Sequence, residues 1–141
     1  MIIMRPVLSA RTAFRLVDLA CAHAEGRGWP VACVVTDPDG TVLASLRLDG
    51  VGAHILGFAT DKAYTAALMR KTTQKYFEET RERDDSRMVL ANRPRLIVWS
   101  GGLPVKHDGV VVGGIGVSGV KGVEDVECAE TALRTEGFTW E

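Results

Sequence analysis

The sequence predicts an α+β domain with a five-stranded, largely antiparallel sheet and helices packed on it. Two observations favour this fold class. Apolar residues recur at helical spacing in three long segments, residues 9–26, 52–70 and 123–135. Between these segments, runs of β-branched residues occur in pairs that are joined by turn sequences, a pattern typical of hairpins. Strands that follow one another in runs favour α+β over a parallel α/β sheet.

Length, composition and charge indicate one ordinary globular domain over residues 1–141. A chain of 141 residues leaves no room for a second core. The hydrophobic share of 46% and the charged share of 25% are those of a globular protein. A net charge of −1 gives no field that attracts nucleic acid or an anionic membrane. No apolar run approaches the roughly 20 residues that span a bilayer, so we expect neither partner.

The cysteines and the N-terminal arm, residues 1–7, favour a cytoplasmic location. Cys21, Cys33 and Cys128 are odd in number and lie in apolar stretches, which predicts buried, reduced thiols. The arm has its charge after its apolar residues, whereas a signal peptide has its charge before them.

The first helix and the first hairpin fill residues 9–48. Ser9 is a suitable N-cap for the helix over residues 9–26, and glycines follow the helix and end it. Residues 30–48 predict two strands joined by a turn in which proline presets φ and glycine adopts the left-handed conformation, Asp37-Pro38-Asp39-Gly40.

The middle of the chain predicts a long helix, a short helix and an exposed loop. Residues 52–70 carry an alanine-rich apolar face on or near which Lys62 also lies. A lysine on such a face either extends outward to solvent or serves a site. Residues 72–83 predict a short amphipathic helix. Residues 81–93 are charged and lack apolar periodicity, so we expect a charged, exposed loop there.

The last third of the chain predicts a strand, a hairpin and a helix. The strand covers residues 95–99, and the hairpin covers residues 101–119 with Asp108-Gly109 as its turn. Four glycines weaken the second hairpin strand, so we expect a helix, another backbone or a ligand to lie close to it. The final helix covers residues 123–135. We expect the aromatic tail, residues 137–141, to dock on this chain or on a neighbour.

Two histidines are candidates for binding iron. His54 begins the second long helix, and His107 stands beside the hairpin turn. Either could be an axial haem ligand, because neutral imidazole is a common iron ligand. A surface position without a function stays open as the alternative for both.

Two cations and two glycines form a second set of candidates. Gly101 and Gly102 offer backbone N–H groups without side-chain obstruction, and Lys62 and Arg47 offer positive charge. If these residues converge, they make a site for a carboxylate or a propionate.

A third set concerns proton transfer. Lys62 is a candidate general acid/base or charge clamp, with Asp125 or Asp49 as its partner. Asp125 is equally suited to a structural role as an acid in the first turn of the last helix. Ser118 either belongs to a binding site or caps the loop before that helix.

Several stretches together resemble the GlcG/HbpS-like family, which includes glycolate-operon GlcG, the haem-binding HbpS proteins and the C-terminal domain of PduO-type adenosyltransferases. The resemblance runs from about residue 8 to residue 133. It is carried by six motifs, Thr36-Asp37-x-x-Gly40, Arg47-x-Asp49-Gly50, Lys62-Ala63-x-Thr65-Ala66, Gly101-Gly102-Leu103-Pro104-Val105, Asp108-Gly109 through Ser118-Gly119, and Asp125-x-x-Cys128-Ala129.

This resemblance implies a profilin-like, three-layer α/β/α domain that assembles into homo-oligomers, such as dimers, hexamers or octamers. It also implies haem as a cofactor or ligand, with haem degradation attributed to some members. The charged loop over residues 81–93 and the aromatic tail depart from the family pattern.

Three functions are therefore open at this stage. The first is haem binding or haem handling, with His54 or His107 on the iron and with Lys62 and Arg47 on the propionates. The second is an enzyme or binder for a small acidic metabolite, in which Lys62 acts. The third is a structural oligomer whose glycines only permit close subunit packing. Whether the protein is an enzyme is not decided by the sequence.

Overall fold

The structure is a computed structural model that describes residues 1–141. Its helices and strands follow in the order α1 (Ala10–Arg27), β1 (Ala32–Thr36), β2 (Val42–Arg47), α2 (Ala53–Met69), α3 (Thr73–Thr80), α4 (Asp84–Asn92), β3 (Gly102–His107), β4 (Val110–Ser118) and α5 (Gly122–Glu136). The strands form one antiparallel sheet in the order β2-β1-β4-β3. No helix is long and apolar enough to cross a membrane.

Helices cover both faces of the sheet, as the predicted α+β class requires. On one face, α1 and α5 pack on alternate residues of the strands, such as Cys33, Ile115 and Val117. On the other face, α2 packs on Ala32 and Val34 of β1 and on the length of β4. The three cysteines are free and buried, as the sequence predicts.

The sheet has four strands, so the prediction of five is wrong. Residues 95–99 were expected to form the additional strand, but they form no regular structure. The hydroxyl of Thr65 in α2 satisfies their backbone instead. Its Oγ1 donates to the carbonyl of Arg95 at 3.1 Å and accepts from the N–H of Ile97 at 3.1 Å. Side-chain bonds of this kind offer the backbone an alternative to a sheet ladder.

The charged segment over residues 81–93 contains helix α4 and is not a loop throughout. Methionine, leucine, alanine and arginine are good helix formers, and Asp84 and Asp85 in the first turn suit the helix dipole. The expectation of exposure holds, since α4 buries none of its residues.

The glycine-rich hairpin has the predicted form. Asp108 and Gly109 adopt positive φ values of 49° and 77° in the turn. A Cβ atom at Gly116 would lie 2.1 Å from the carbonyl oxygen of Ala59, and one at Gly114 would lie 2.4 Å from that of Ala63. The close neighbour that the glycines predict is therefore the backbone of α2.

The aromatic tail docks on its own chain. The backbones of Lys106 and Thr139 exchange hydrogen bonds of 2.8 and 3.1 Å, so the tail pairs with the outer edge of β3. Phe138 also packs edge-on to His107, with ring centroids 6.3 Å apart. This edge of the sheet is thus partly covered.

Candidate functional site

A cavity of about 380 Å³ lies where the N-terminal half of α2 meets the end of β4 and the start of α5. Three of the predicted site residues line it, namely Lys62, Ser118 and Asp125. Its other walls are apolar or small, and include Ile55, Phe58, Trp99 and Gly119. The cavity therefore combines a polar floor with a partly aromatic rim.

The polar floor is an ion pair between Lys62 and Asp125, each only 2% exposed. Lys62 Nζ donates to Asp125 Oδ2 at 3.0 Å and to the carbonyl oxygen of Val117 at 2.9 Å. Asp125 Oδ1 accepts from the N–H of Val120 at 3.3 Å. The carboxylate of Asp125 thus pairs with Lys62, lies in the first turn of α5 and orients the β4–α5 loop.

Small residues allow this pair to form. The alanine-rich face of α2 brings Lys62 directly against β4. Gly101 has a φ of 125°, and a Cβ atom there would lie 2.9 Å from Lys62 Nζ and 3.0 Å from Asp125 Cβ. Gly101 therefore serves the site by leaving space for the ion pair. Only a residue without a side chain fits at this position.

Burial sets the electrostatics of the pair, because it disfavours the charged form of each group. It raises the pKa of Asp125 to about 6, although Lys62 and the N–H of Val120 oppose this change. It also lowers the pKa of Lys62, and Asp125 offsets part of that shift. The pKa values of both groups are therefore shifted towards neutral pH. Such shifts suit proton transfer, and they also occur in structural ion pairs.

Two lining residues of the cavity, Phe58 and Trp99, belong to an aromatic cluster that also includes His54. His54 packs edge-on to Phe58 with ring centroids 5.8 Å apart, and Phe58 packs edge-on to Trp99 at 5.1 Å. Trp99 is 58% exposed. The sequence interpretation included His54 but missed Phe58 and Trp99. The spacing of Phe58 from His54, one helical turn, is a signal that could have found the first of them.

Arg47 and Asp49 lie away from the ion pair, so the expected convergence of Arg47 and Lys62 is not present. Both line a different cavity of about 360 Å³. The guanidinium of Arg47 donates to the carbonyl of Val51 at 2.7 Å, which holds the segment before α2. Lys62, for its part, is already bonded to Asp125 and Val117. Neither Arg47 nor Lys62 therefore brings an unpaired charge to Gly101 and Gly102.

The N–H of Gly102 is also not free for a ligand, because it donates to Thr73 Oγ1 at 3.1 Å. His107 lies at the hairpin turn, where it is exposed beside Asp108. No group of three or more histidine, cysteine or carboxylate side chains comes together to hold a metal ion. Of the predicted site residues, the structure thus groups Lys62, Ser118 and Asp125, with His54 near the rim.

The fold places this chain in a class of small α+β domains in which helices cover both faces of an antiparallel sheet. A family model described as "Haem degrading protein HbpS-like" matches residues 8–134. The chain belongs to this HbpS-like family, which confirms the resemblance that its motifs carry.

Two relatives support the same assignment. Protein GlcG of Escherichia coli K12 is 32% identical over 112 residues, which are 79% of this chain and 81% of GlcG. An uncharacterised 15.0 kDa protein from the dhaT-dhaS intergenic region of Citrobacter freundii is 34% identical over 105 residues, 74% of each chain.

Solved structures share the fold. A double mutant of Streptomyces reticuli HbpS has a TM-score of 0.86 and 28% identity, with 95% of this chain and 90% of that chain covered. A complex of PduOC with haem has a TM-score of 0.88 over 96% of this chain and 99% of PduOC. Its identity of 23% makes this second likeness one of fold alone.

Proposed function

We propose that this protein binds haem or a related planar small molecule at the cavity beside α2, with His54 as the iron ligand. The observation that carries the proposal is the aromatic part of the lining of a cavity of about 380 Å³, formed by Phe58 and Trp99, with the exposed imidazole of His54 edge-on to Phe58. Neutral imidazole ligates haem iron, and Phe58 and Trp99 offer flat apolar surface to a macrocycle. The family description, a haem-degrading protein, supports the same ligand.

The position of His107 favours His54 as the ligand. His107 pairs with Val110 at the start of β4, whereas the cavity includes Ser118 at its end. A nine-residue strand separates these ends by roughly 26 Å at about 3.3 Å per residue. The two histidines therefore cannot ligate one iron within one chain. His107 lies beside Asp108 and Phe138, away from the aromatic residues Phe58 and Trp99 that line the cavity.

Titration with hemin tests the proposal. We expect a sharp Soret band that His54→Ala abolishes or shifts, and that Phe58→Leu weakens because the variant loses aromatic contact with the macrocycle. His107→Ala is the matched control, since it also removes an exposed imidazole but leaves the cavity unchanged. Absence of a Soret band in the parent protein, or a band that His54→Ala leaves unchanged, would contradict the proposal.

A second candidate function rests on the ion pair. The pKa of Asp125 at about 6 and the lowered pKa of Lys62 suit a general acid and base acting on a small acidic metabolite in the same cavity. If such turnover exists, Asp125→Asn should lower kcat by about a hundredfold or more, and the residual kcat should no longer change with pH around 6. Turnover that Asp125→Asn and Lys62→Met both retain would eliminate this candidate.

The third possibility, a structural oligomer, is no longer supported by the hairpin glycines. Gly114 and Gly116 face α2, Gly113 faces Thr36 and Leu8, and Gly119 faces Pro30, so other parts of the same chain are their close neighbours. Assembly itself remains part of the proposal. We expect a cytoplasmic homo-oligomer, and light scattering coupled to size exclusion should give a multiple of the 15.3 kDa chain mass. A monomeric mass at all concentrations would contradict it.

A further inference from the structure

A cavity of about 450 Å³ lies on the opposite side of Gly101 and Gly102 from the ion pair. Helix α3 forms one wall, β3 forms the floor, and α5 and the aromatic tail form the remaining walls. Only 3 of its 14 lining residues are hydrophobic, so its lining suits a small polar ligand and not a large apolar one.

The walls of this cavity are fixed by hydrogen bonds within the chain. Thr73, which is fully buried at the start of α3, accepts the N–H of Gly102 and so holds α3 against β3. The tail is held by the two backbone bonds between Lys106 and Thr139, which place Trp140 at the cavity. A preformed cavity of this kind lowers the entropy cost of ordering a ligand site.

Three cations of the lining have no carboxylate within ion-pair distance, namely Arg70, Lys75 and Lys106. The fourth, Lys71, already binds Glu79, which does not line the cavity. The cavity therefore presents three positive side chains that come from α3, from β3 and from the end of α2.

None of the carboxylates of the lining lies within ion-pair distance of these cations. Glu78 accepts a hydrogen bond from Gln74 at 3.2 Å, one turn away on α3. Glu130 faces Arg134, which lies outside the cavity, at 3.8 Å. Glu141 is exposed at the end of the tail. An incoming anion would therefore supply the partner that the cations lack.

The end of α2 brings Arg70 to this cavity. Arg70 is the C-cap residue of α2 and has a φ of 58°, the left-handed conformation that is common where helices end. The next two residues of the chain, Lys71 and Thr72, also line the cavity.

We propose that this cavity is a second small-molecule site that binds an organic anion with at least two acidic groups. Lys75 contacts the acidic groups from the wall formed by α3 and Lys106 contacts them from the floor formed by β3, while Arg70 closes the end of the cavity and the indole of Trp140 contacts the carbon skeleton. The shared chemistry is the anionic oxygen of a carboxylate or a phosphate. This site is independent of the proposed haem site, because it shares none of the lining residues of that cavity.

The experiment uses two probes, citrate as a polycarboxylate and inorganic pyrophosphate as a polyphosphate. Each is titrated into the full chain by calorimetry, with tryptophan fluorescence as a second readout. We expect binding of at least one probe, and a loss of affinity of about tenfold or more in the double variant Lys75→Gln/Lys106→Gln. Binding of citrate alone assigns a carboxylate ligand, and binding of pyrophosphate alone assigns a phosphate.

Three controls make the result specific. Arg11→Gln removes an exposed, unpaired cation of α1 and should leave affinity unchanged. Glu78→Gln removes a competing negative charge and should tighten binding severalfold. The hemin Soret band should be identical in the parent chain and in Lys75→Gln/Lys106→Gln, so failure of one site is distinguishable from failure of the other. Binding of neither probe, or equal binding by the double variant, would overturn the proposal.

Discussion

Helices α2 and α4 differ in how much of the protein depends on them. Helix α2 lies so close to β4 that glycine is the only residue that fits at positions 114 and 116. Helix α4 buries none of its nine residues and has no side-chain bond at its N-cap. An isolated helix of that length is marginal in water. Helix α2 is therefore fixed by backbone-to-backbone packing, whereas α4 depends on its local helix propensity.

This difference also determines where a site is possible. Because α2 cannot shift on the sheet, Lys62 is held at a fixed distance from Val117 and Asp125, and the cavity beside them keeps its shape. A site with preorganised polar groups needs this kind of support. Helix α4 offers no comparable support, and no cavity residue of either proposed site comes from it.

The largest expected effect follows from filling the space beneath α2. Gly116→Ala places a methyl group within 2.1 Å of the Ala59 carbonyl, so we expect a loss of about 3 kcal/mol in the free energy of unfolding, or no folded protein. Gly57→Ala is the matched control, because a Cβ atom there has no neighbour within 4 Å. It should stabilise α2 by about 0.5–1 kcal/mol. Urea denaturation measures the free energy of unfolding of both variants. Equal values for Gly116→Ala and Gly57→Ala would refute the close packing of α2 on β4.

The next effect concerns the ion pair under α2. Lys62→Met leaves Asp125 buried without a partner, so we expect a loss of about 3–5 kcal/mol in the free energy of unfolding. The double variant Lys62→Met/Asp125→Leu should recover most of this loss, because no uncompensated charge remains. A double variant as unstable as the single one would mean that packing, and not the buried charge, causes the loss. Urea denaturation measures the free energy of unfolding of the parent, Lys62→Met and the double variant.

The same pair predicts a dependence on pH. The pKa of Asp125 is raised on folding, so its contribution to stability is full in acid and is lost as pH rises through about 6. The pKa of Lys62 is lowered on folding, so its contribution is recovered only as the solution becomes strongly alkaline. Relative to Lys62→Met/Asp125→Leu, the parent protein should therefore lose stability between about pH 4 and about pH 6. A constant difference across that range would contradict the shift of Asp125.

Much of the fold could be predicted from the sequence, because local signals and packing agree there. Ser9 caps α1 by accepting the N–H of Thr12, as its residue type predicts. The glycines of β4 predicted a close neighbour, and the neighbour is α2. Residues 95–99 misled the interpretation because their β-branched composition is that of a strand, while Thr65, some thirty residues away, binds their backbone. A contact so distant leaves no local trace in the sequence.

The candidate site was only partly predictable for a similar reason. Lys62 was identified as a cation on or near an alanine-rich helix face, with Asp125 or Asp49 as its partner, and the structure joins Lys62 to Asp125. Arg47 carries the same charge as Lys62, but it lies on the edge strand β2 and bonds to Val51. The aromatic residue Trp99 was missed because it was assigned to a strand that does not form. Distances between elements decide such cases, and neither composition nor spacing supplies them.

The smallest expected effect comes from α4. Met88 is 68% exposed, so Met88→Ala should change the free energy of unfolding by less than about 0.5 kcal/mol. The comparison variant is Leu133→Ala in α5, where the side chain is fully buried and its removal should cost about 2–5 kcal/mol. Amide hydrogen exchange gives an independent measurement, in which α4 should exchange far faster than the centre of α2 because its opening exposes no buried surface. Strong protection of α4, or a large loss in Met88→Ala, would show that this helix packs against a partner in solution.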